Sequence, residues 1–227
     1  MSRVIAIDGR SGAGKSSVSK KVGHQLGFLH VDSGALYRII TWQCLQHDID
    51  TSDAAAVAEF CGRVQVEFSA VDGAIRYLVE GKEPGNHIRT PEINRHASPV
   101  ATVKEVRELV TAWLRGMTHF GNIIVEGRDI TTAVFPETPA RFYLDADPEA
   151  RAERRRKEEL EKGIAAQSIN DVKKSLLARD KIDSTRQHAP LRKADGVLAI
   201  DSTHMSIEEV VATIIKALPA EWQKEQP

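Results

Sequence analysis

The sequence has 227 residues, 41% apolar and 28% charged, and its 31 lysines and arginines against 32 acidic residues leave a net charge of −1. That balance argues against a nucleic-acid-binding protein, and no uninterrupted apolar run approaches the ~18 residues of a membrane span. The length suits one α/β domain with room for an insertion, and the two cysteines, Cys44 and Cys61, read as buried free thiols rather than a disulfide framework or a metal site.

The apolar start Val4-Ile5-Ala6-Ile7 ends at once in Asp8-Gly9, which is no secretory leader, so a reduced, cytoplasmic protein is expected. Short apolar runs alternating with helical patterns predict buried strands at 4–8, 28–32, 122–126, 141–145 and 197–201. The expected fold is therefore α/β, a five-stranded parallel sheet flanked by helices. In such sheets ligands collect beyond the strand C-termini.

Residues 64–70 and 75–80 alternate apolar and polar around Asp72-Gly73, which predicts an antiparallel hairpin. Residues 63–97 are taken as an inserted small β module, with the core formed by 1–62 and 98–227 and a helix over about 98–117. Residues 149–162 read as a charged helix closed by Gly163, with too little apolar content for a core element. A helix from about Ser168 to Lys181 follows, opened by Ser168-x-x-Asp171, and a last helix starts at the capping box Ser206-Ile207-Glu208-Glu209.

Residues 9–16 read Gly-Arg-Ser-Gly-Ala-Gly-Lys-Ser, matching G-x-x-x-x-G-K-[ST] directly after a predicted strand and before a helix. The glycines let successive backbone N–H groups point into one concavity, at the positive end of the helix dipole. Gly9, Arg10, Ser11, Gly12, Ala13, Gly14, Lys15, Ser16 and Ser17 form the expected nucleotide-binding loop. Lys15 supplies a mobile cation for the β- and γ-phosphates of ATP, and the Ser16 hydroxyl suits Mg²⁺. No Asn-Lys-x-Asp guanine motif occurs. Short length and a late charged helix favour a small-molecule kinase.

Three further stretches lie at strand ends or far downstream: Asp32-Ser33-Gly34-Ala35-Leu36-Tyr37-Arg38, Gly127-Arg128-Asp129, and Asp183-x-x-Arg186-x-x-Ala189-Pro190-Leu191, the last preceded by Arg179-Asp180. Packed substrate phosphates demand converging guanidinium groups, and Arg38, Arg128 and Arg186 are the candidates. With the phosphate loop and Ile88-Arg89-Thr90, these motifs make the whole chain resemble the bacterial cytidylate kinases, P-loop nucleoside monophosphate kinases. The resemblance implies transfer of the γ-phosphoryl group of ATP to CMP or dCMP by a monomer acting on small molecules, with no nucleic-acid or membrane partner.

The resemblance also implies particular roles. It places Arg38, Arg128, Arg179 and Arg186 around the acceptor and transferred phosphates. A carboxylate accepting from the cytosine amino group beside an arginine donating to the acceptor edge would read the base. Asp129 and Arg107 take those parts, Ser33 and Ser98 complete the pocket, and Asp183 holds the sugar hydroxyls. A lid segment over 149–166 brings Arg154 and Arg155 onto the donor phosphates, leaving Arg156 and Lys157 to solvent. The chain departs from the family pattern at Arg10, where proline is common, and at Lys104-Glu105, Trp113-Leu114-Arg115 and Thr132. The weighed alternatives are another acceptor (UMP or a small acid such as shikimate), an ATP-binding regulatory protein, and nucleic-acid binding through the basic helix.

Overall fold

Every residue of Val4–Gly9 (β1) is buried, because parallel neighbours flank it and helices cover both its faces. The neighbours are Ile123–Gly127 (β5) and Ala140–Asp145 (β6); Leu29–Asp32 (β2) pairs with β5, and Leu198–Asp201 (β7) with β6. These are the five parallel strands expected. The computed structural model describes residues 2–161 and 168–223.

Alternate residues of β1 enter separate cores, as a period of two requires. Val4 and Ala6 join Val31, Leu36, Ile39, Val106 and Val110 beneath the helices Ser33–Gln46 (α2), Ala54–Cys61 (α3) and Lys104–Gly116 (α5). Ile5 and Ile7 join Val18, Val22, Val210 and Ile214 beneath Lys15–Leu26 (α1) and Ile207–Ala217 (α8). The capping box at Ser206 and Glu209 forms as read, and both cysteines are buried and free.

Among the described residues the sheet has seven strands rather than five, in the order β3-β4-β2-β5-β1-β6-β7. Glu67–Val71 (β3) and Ala74–Leu78 (β4) form the antiparallel hairpin, turning at Asp72 and Gly73, both with positive φ. It does not stand apart. Ala74 pairs with His30, so the hairpin extends the sheet at the edge of β2, where backbone groups would otherwise lack partners. Tyr77 donates to the Asp32 carbonyl at 3.1 Å, and Phe68 lies edge-on to both Tyr77 and Trp113 of α5.

The single helix expected over 98–117 is two. Pro91–Val100 (α4) precedes α5, and Pro99 lacks the N–H that would continue the ladder. Thr90 caps α4 by accepting from Ile93 N at 3.2 Å, a Thr-Pro start that the sequence reading passed over. Pro148–Glu161 (α6) and Ile169–Thr185 (α7), capped by Ser168, match the two late helices, α7 running past Lys181. The expectation that α6 has no core face is corrected: Arg151 and Ala152 are fully buried, and Ala152 packs on Val172 and Leu176 of α7. Gly163 and the lid's expected end at 162–166 lie outside the described residues. No helix among the described residues is long and apolar enough to cross a membrane.

Trp113→Ala should remove the platform under the hairpin and lower stability by about 2 kcal/mol, below the ~3–5 kcal/mol of a buried aromatic truncation because the ring is only half-buried. Urea unfolding followed by circular dichroism measures it.

Candidate active site

The strand ends put Gly9 beside Leu144 and Asp8 beside Gly127, so the loop after β1 opens at the middle of the sheet's carboxyl edge. A β-carbon at Gly9 would lie 2.0 Å from the Leu144 carbonyl oxygen, which only glycine tolerates. The loop then delivers its backbone N–H groups to the start of α1, with Gly14 at φ 91° as the last turn before Lys15. Lys15 is buried, and its Nζ donates to the carbonyls of Gly9 (2.9 Å) and Arg10 (2.8 Å). Ser16 is half-buried and Ser17 exposed on the first turn of α1. Arg10 reaches outward to Asp145 at 3.4 Å.

Across from this loop, basic residues gather around shared carboxylates. Asp32 caps α2 through Ala35 N and pairs with Arg38 at 3.1 Å and Arg89 at 3.0 Å. Burial pushes its carboxyl up, but Arg38 and then Arg89 outweigh it and hold the group well below the usual range. Asp129 is buried and pairs with Arg107, which also donates to the Ala101 carbonyl at 3.0 Å and lies 5.4 Å over the Tyr37 ring. Arg186 sits 3.5 Å from Asp129 and 3.6 Å from Asp183, and Arg128 donates to Asp183 at 3.0 Å. Ser33 is buried and donates to the Glu126 carbonyl at 2.6 Å, while Ser98 is buried on α4, which packs against α2. Of the predicted acceptor residues, Arg107, Asp129, Arg186, Asp183 and Arg128 therefore form one connected set of ion pairs.

Positive charge is in excess there. Burial brings the Lys15 amine down to about 7, and Arg128 is the next contributor, with Arg179 adding to it. Burial, then Arg128, brings Arg179 down to about 10. Arg179, half-buried on α7, has no ion pair among the described residues, and its Nε is buried without a hydrogen-bond partner, as are those of Arg38 and Arg107. Buried donors left unmatched are costly, which makes this cluster a socket for acceptor-rich anions.

Arg154 and Arg155, expected to lie in a lid, have other partners. Arg154 donates to Ser202 Oγ (3.0 Å) and to the Ser202 carbonyl (2.5 Å), and Arg155 pairs with Glu159 (2.8 Å) and Glu158 (3.3 Å) of its own helix. Arg156 and Lys157 are exposed, as expected.

The sequence reading missed three participants. Arg89 was quoted only as part of a stretch, yet it shares Asp32. Asp8, wholly buried, accepts from Ile130 N (2.8 Å), Thr131 N (2.8 Å) and Thr131 Oγ1 (2.6 Å), and so fixes the wide helical turn Ile130–Val134 that follows Asp129. Arg151 falls within the charged run of residues 149–162, where nothing local distinguishes it from its neighbours. It is inside.

A family model described as cytidylate kinase matches residues 5–220. A cytidylate kinase of Alkaliphilus metalliredigens is 39% identical over 212 residues, 93% of this chain and 94% of that protein. One of Shouchella clausii is 40% identical over 211 residues, 93% of each chain. Among solved structures, an uncharacterized protein from Eubacterium ventriosum superimposes with a TM-score of 0.52 over 95% of this chain and 97% of that one, at 13% identity, a likeness of fold alone. A match this long, running from β1 past α8 and through every element that lines the basic cleft, places the chain in the cytidylate kinase family.

Proposed function

We propose that this protein transfers the γ-phosphoryl group of ATP to CMP or dCMP, giving ADP and CDP or dCDP. The observation that carries the reading is the crowding of Lys15, Arg38, Arg128 and Arg179 in one cleft, with donors left unpartnered. Two substrates carrying adjacent phosphates are the natural counter-charge.

An oxygen of the acceptor phosphate attacks the γ-phosphorus in line as the bond from that phosphorus to the β–γ bridging oxygen breaks, and ADP keeps that electron pair. The acceptor is already anionic, so no general base is needed, and catalysis is positioning plus charge neutralisation. Lys15 exchanges the carbonyls of Gly9 and Arg10 for donor phosphate oxygens. Arg38, Arg128, Arg179 and Arg186 hold the acceptor and transferred phosphates. Lid closure brings Arg154 and Arg155 in. Arg155 gives up only pairs within α6, whereas Arg154 must leave Ser202.

Mg²⁺ keeps much of its water and leans on phosphate oxygens, so a single protein hydroxyl suffices to fit it, and Ser16, half-buried on the first turn of α1, offers one. When bound, the ion spreads the charge developing on the β- and γ-oxygens.

Asp129 accepts from the cytosine amino group and Arg107 donates to the neighbouring acceptor edge, with Ser33 and Ser98 in the same pocket. Uracil presents a carbonyl where cytosine has its amino group, which would leave a buried carboxylate facing an acceptor. Asp183 takes the sugar hydroxyls. The insert 63–97 serves as the acceptor module, residues 149–166 as the lid, and 1–62 with 98–227 as the core. The protein works as a cytoplasmic monomer on free nucleotides.

The test is ADP release with ATP·Mg²⁺ and each of CMP, dCMP, UMP, AMP and GMP. Turnover restricted to CMP and dCMP is expected; a different acceptor would discard the base-reading pocket, and silence with all five would discard the reaction. Lys15→Ala should lose about 2–4 kcal/mol of transition-state stabilisation, roughly thirtyfold to a thousandfold in kcat/KM.

Asp183 gives a separate expectation in pH. Burial raises its carboxyl, but Arg128, Arg179 and Arg186 together hold it below its ordinary 3.8. A depressed folded value stabilises the protein above the unfolded value and loses that contribution as pH falls through the folded one. Stability should therefore fall as pH drops through and below the ordinary value of 3.8, and Asp183→Asn should flatten that limb in urea titrations.

A further inference from the structure

Outside the basic cluster, one ion pair is buried among the core residues. Arg151, in the second turn of α6, is 0% exposed, and Asp180 of α7 is 5% exposed. Arg151 Nη1 donates to Asp180 Oδ2 at 2.5 Å, and its Nε donates to the Ala146 carbonyl at 3.0 Å. The same two side chains hold both backbone polar groups of one residue in the phosphate loop, Ser11. Ser11 N donates to Asp180 Oδ1 at 3.1 Å, and the Ser11 carbonyl accepts from Arg151 Nη1 at 3.0 Å. Gly12, at φ 76°, is pressed onto the same helix, since a β-carbon there would lie 3.0 Å from the Arg151 carbonyl oxygen.

A pair this deep is a poor device for stability alone, because desolvating both charges cancels much of their attraction. Arg151 Nη2 is buried with no partner among the described residues, a further cost. What the pair does provide is geometry. It commits the Ser11 N–H to Asp180 and the Ser11 carbonyl to Arg151, which fixes the course of the loop before it enters α1. We propose that Arg151 and Asp180 are positioning residues for the phosphoryl donor, a clamp on Ser11 through which the base of the lid helices sets the shape of the phosphate loop. The proposal rests on the reading that this loop holds ATP. It revises the sequence expectation for Ser11, whose amide is a structural donor here.

The distinguishing variant is R151M/D180L, which removes both charges together and so leaves neither buried alone. A merely structural pair predicts that this protein, once folded, binds ATP normally. The clamp predicts a melting temperature near that of the wild type, a melting shift with ATP·Mg²⁺ that is largely lost, and a KM for ATP raised about ten- to a hundredfold. KM for CMP and the melting shift with CMP should stay unchanged. An ATP KM and ATP shift equal to wild type overturn the clamp, as does a fall in kcat with both KM values intact. Should the double variant not fold, Asp180→Asn keeps an acceptor for Ser11 N and weakens the pair; a selective rise in ATP KM supports the clamp and its absence overturns it. The two readings fail separately. A wild type stabilised by ATP yet inactive on CMP refutes the kinase reading while the ATP shift still tests the clamp, and a wild type indifferent to ATP refutes both.

Discussion

Like charge held at close quarters is the constraint on which the rest of this structure depends. Lys15, Arg38, Arg107, Arg128, Arg179 and Arg186 come from five different elements and would repel one another if carboxylates did not intervene. Asp32, Asp129 and Asp183 each serve two arginines rather than one. Sharing leaves the cluster short of negative charge, and the shortfall falls on Lys15 and Arg179, the two groups whose charge burial and neighbouring cations disfavour most visibly. A phosphate-rich ligand relieves a repulsion that the fold has already built in, so part of the binding energy comes from a strained starting point.

The fold supplies this arrangement through the register of its strands. Asp8, Asp32 and Glu126 end neighbouring parallel strands, with Asp8 level with Gly127 and Asp32 with Glu126. Whatever the flanking helices contribute is aimed at that edge. The hairpin of the insert, docked on β2 and on Trp113, brings in Arg89 from the far side. The sheet thus reaches beyond its five parallel strands for a reason tied to the site.

The legibility of these features in sequence follows their locality. The phosphate loop is nine consecutive residues whose chemistry needs no partner elsewhere, so it could be read directly, and the capping boxes and strand runs share that property. The arginines of the acceptor side were legible as residue types near strand ends. Their pairings were not, because Arg107 meets Asp129 and Arg128 meets Asp183 only through sheet order and helix packing. Arg151 was the hardest to see. In a run of Arg151, Arg154, Arg155, Arg156 and Lys157, composition hides which charge faces inward, and only the docking of α6 on α7 decides it. The hairpin itself was legible, but its docking on β2 was not, because an alternating pattern shows which face is buried but not which edge is paired.

One strand ties the phosphate loop to the turn after Asp129. Gly9 opens that loop, and the residue before it, Asp8, ties down the turn that follows Asp129 with three hydrogen bonds. Burial pushes the Asp8 carboxyl up to about 6, with the Thr131 hydroxyl pulling the other way and Asp129 adding to the rise, so this anchor is itself expensive to hold. Its value lies in adjacency. Two consecutive residues of a fully buried strand set the position of the phosphate loop and of the turn after Asp129, so in the proposed reaction donor and acceptor are registered to each other through a single element. In-line transfer tolerates little error in that relation, since a misplacement of about 1 Å costs on the order of a hundredfold in rate. A site assembled from several elements needs one fixed reference, and β1, buried on both faces and paired on both edges, provides it.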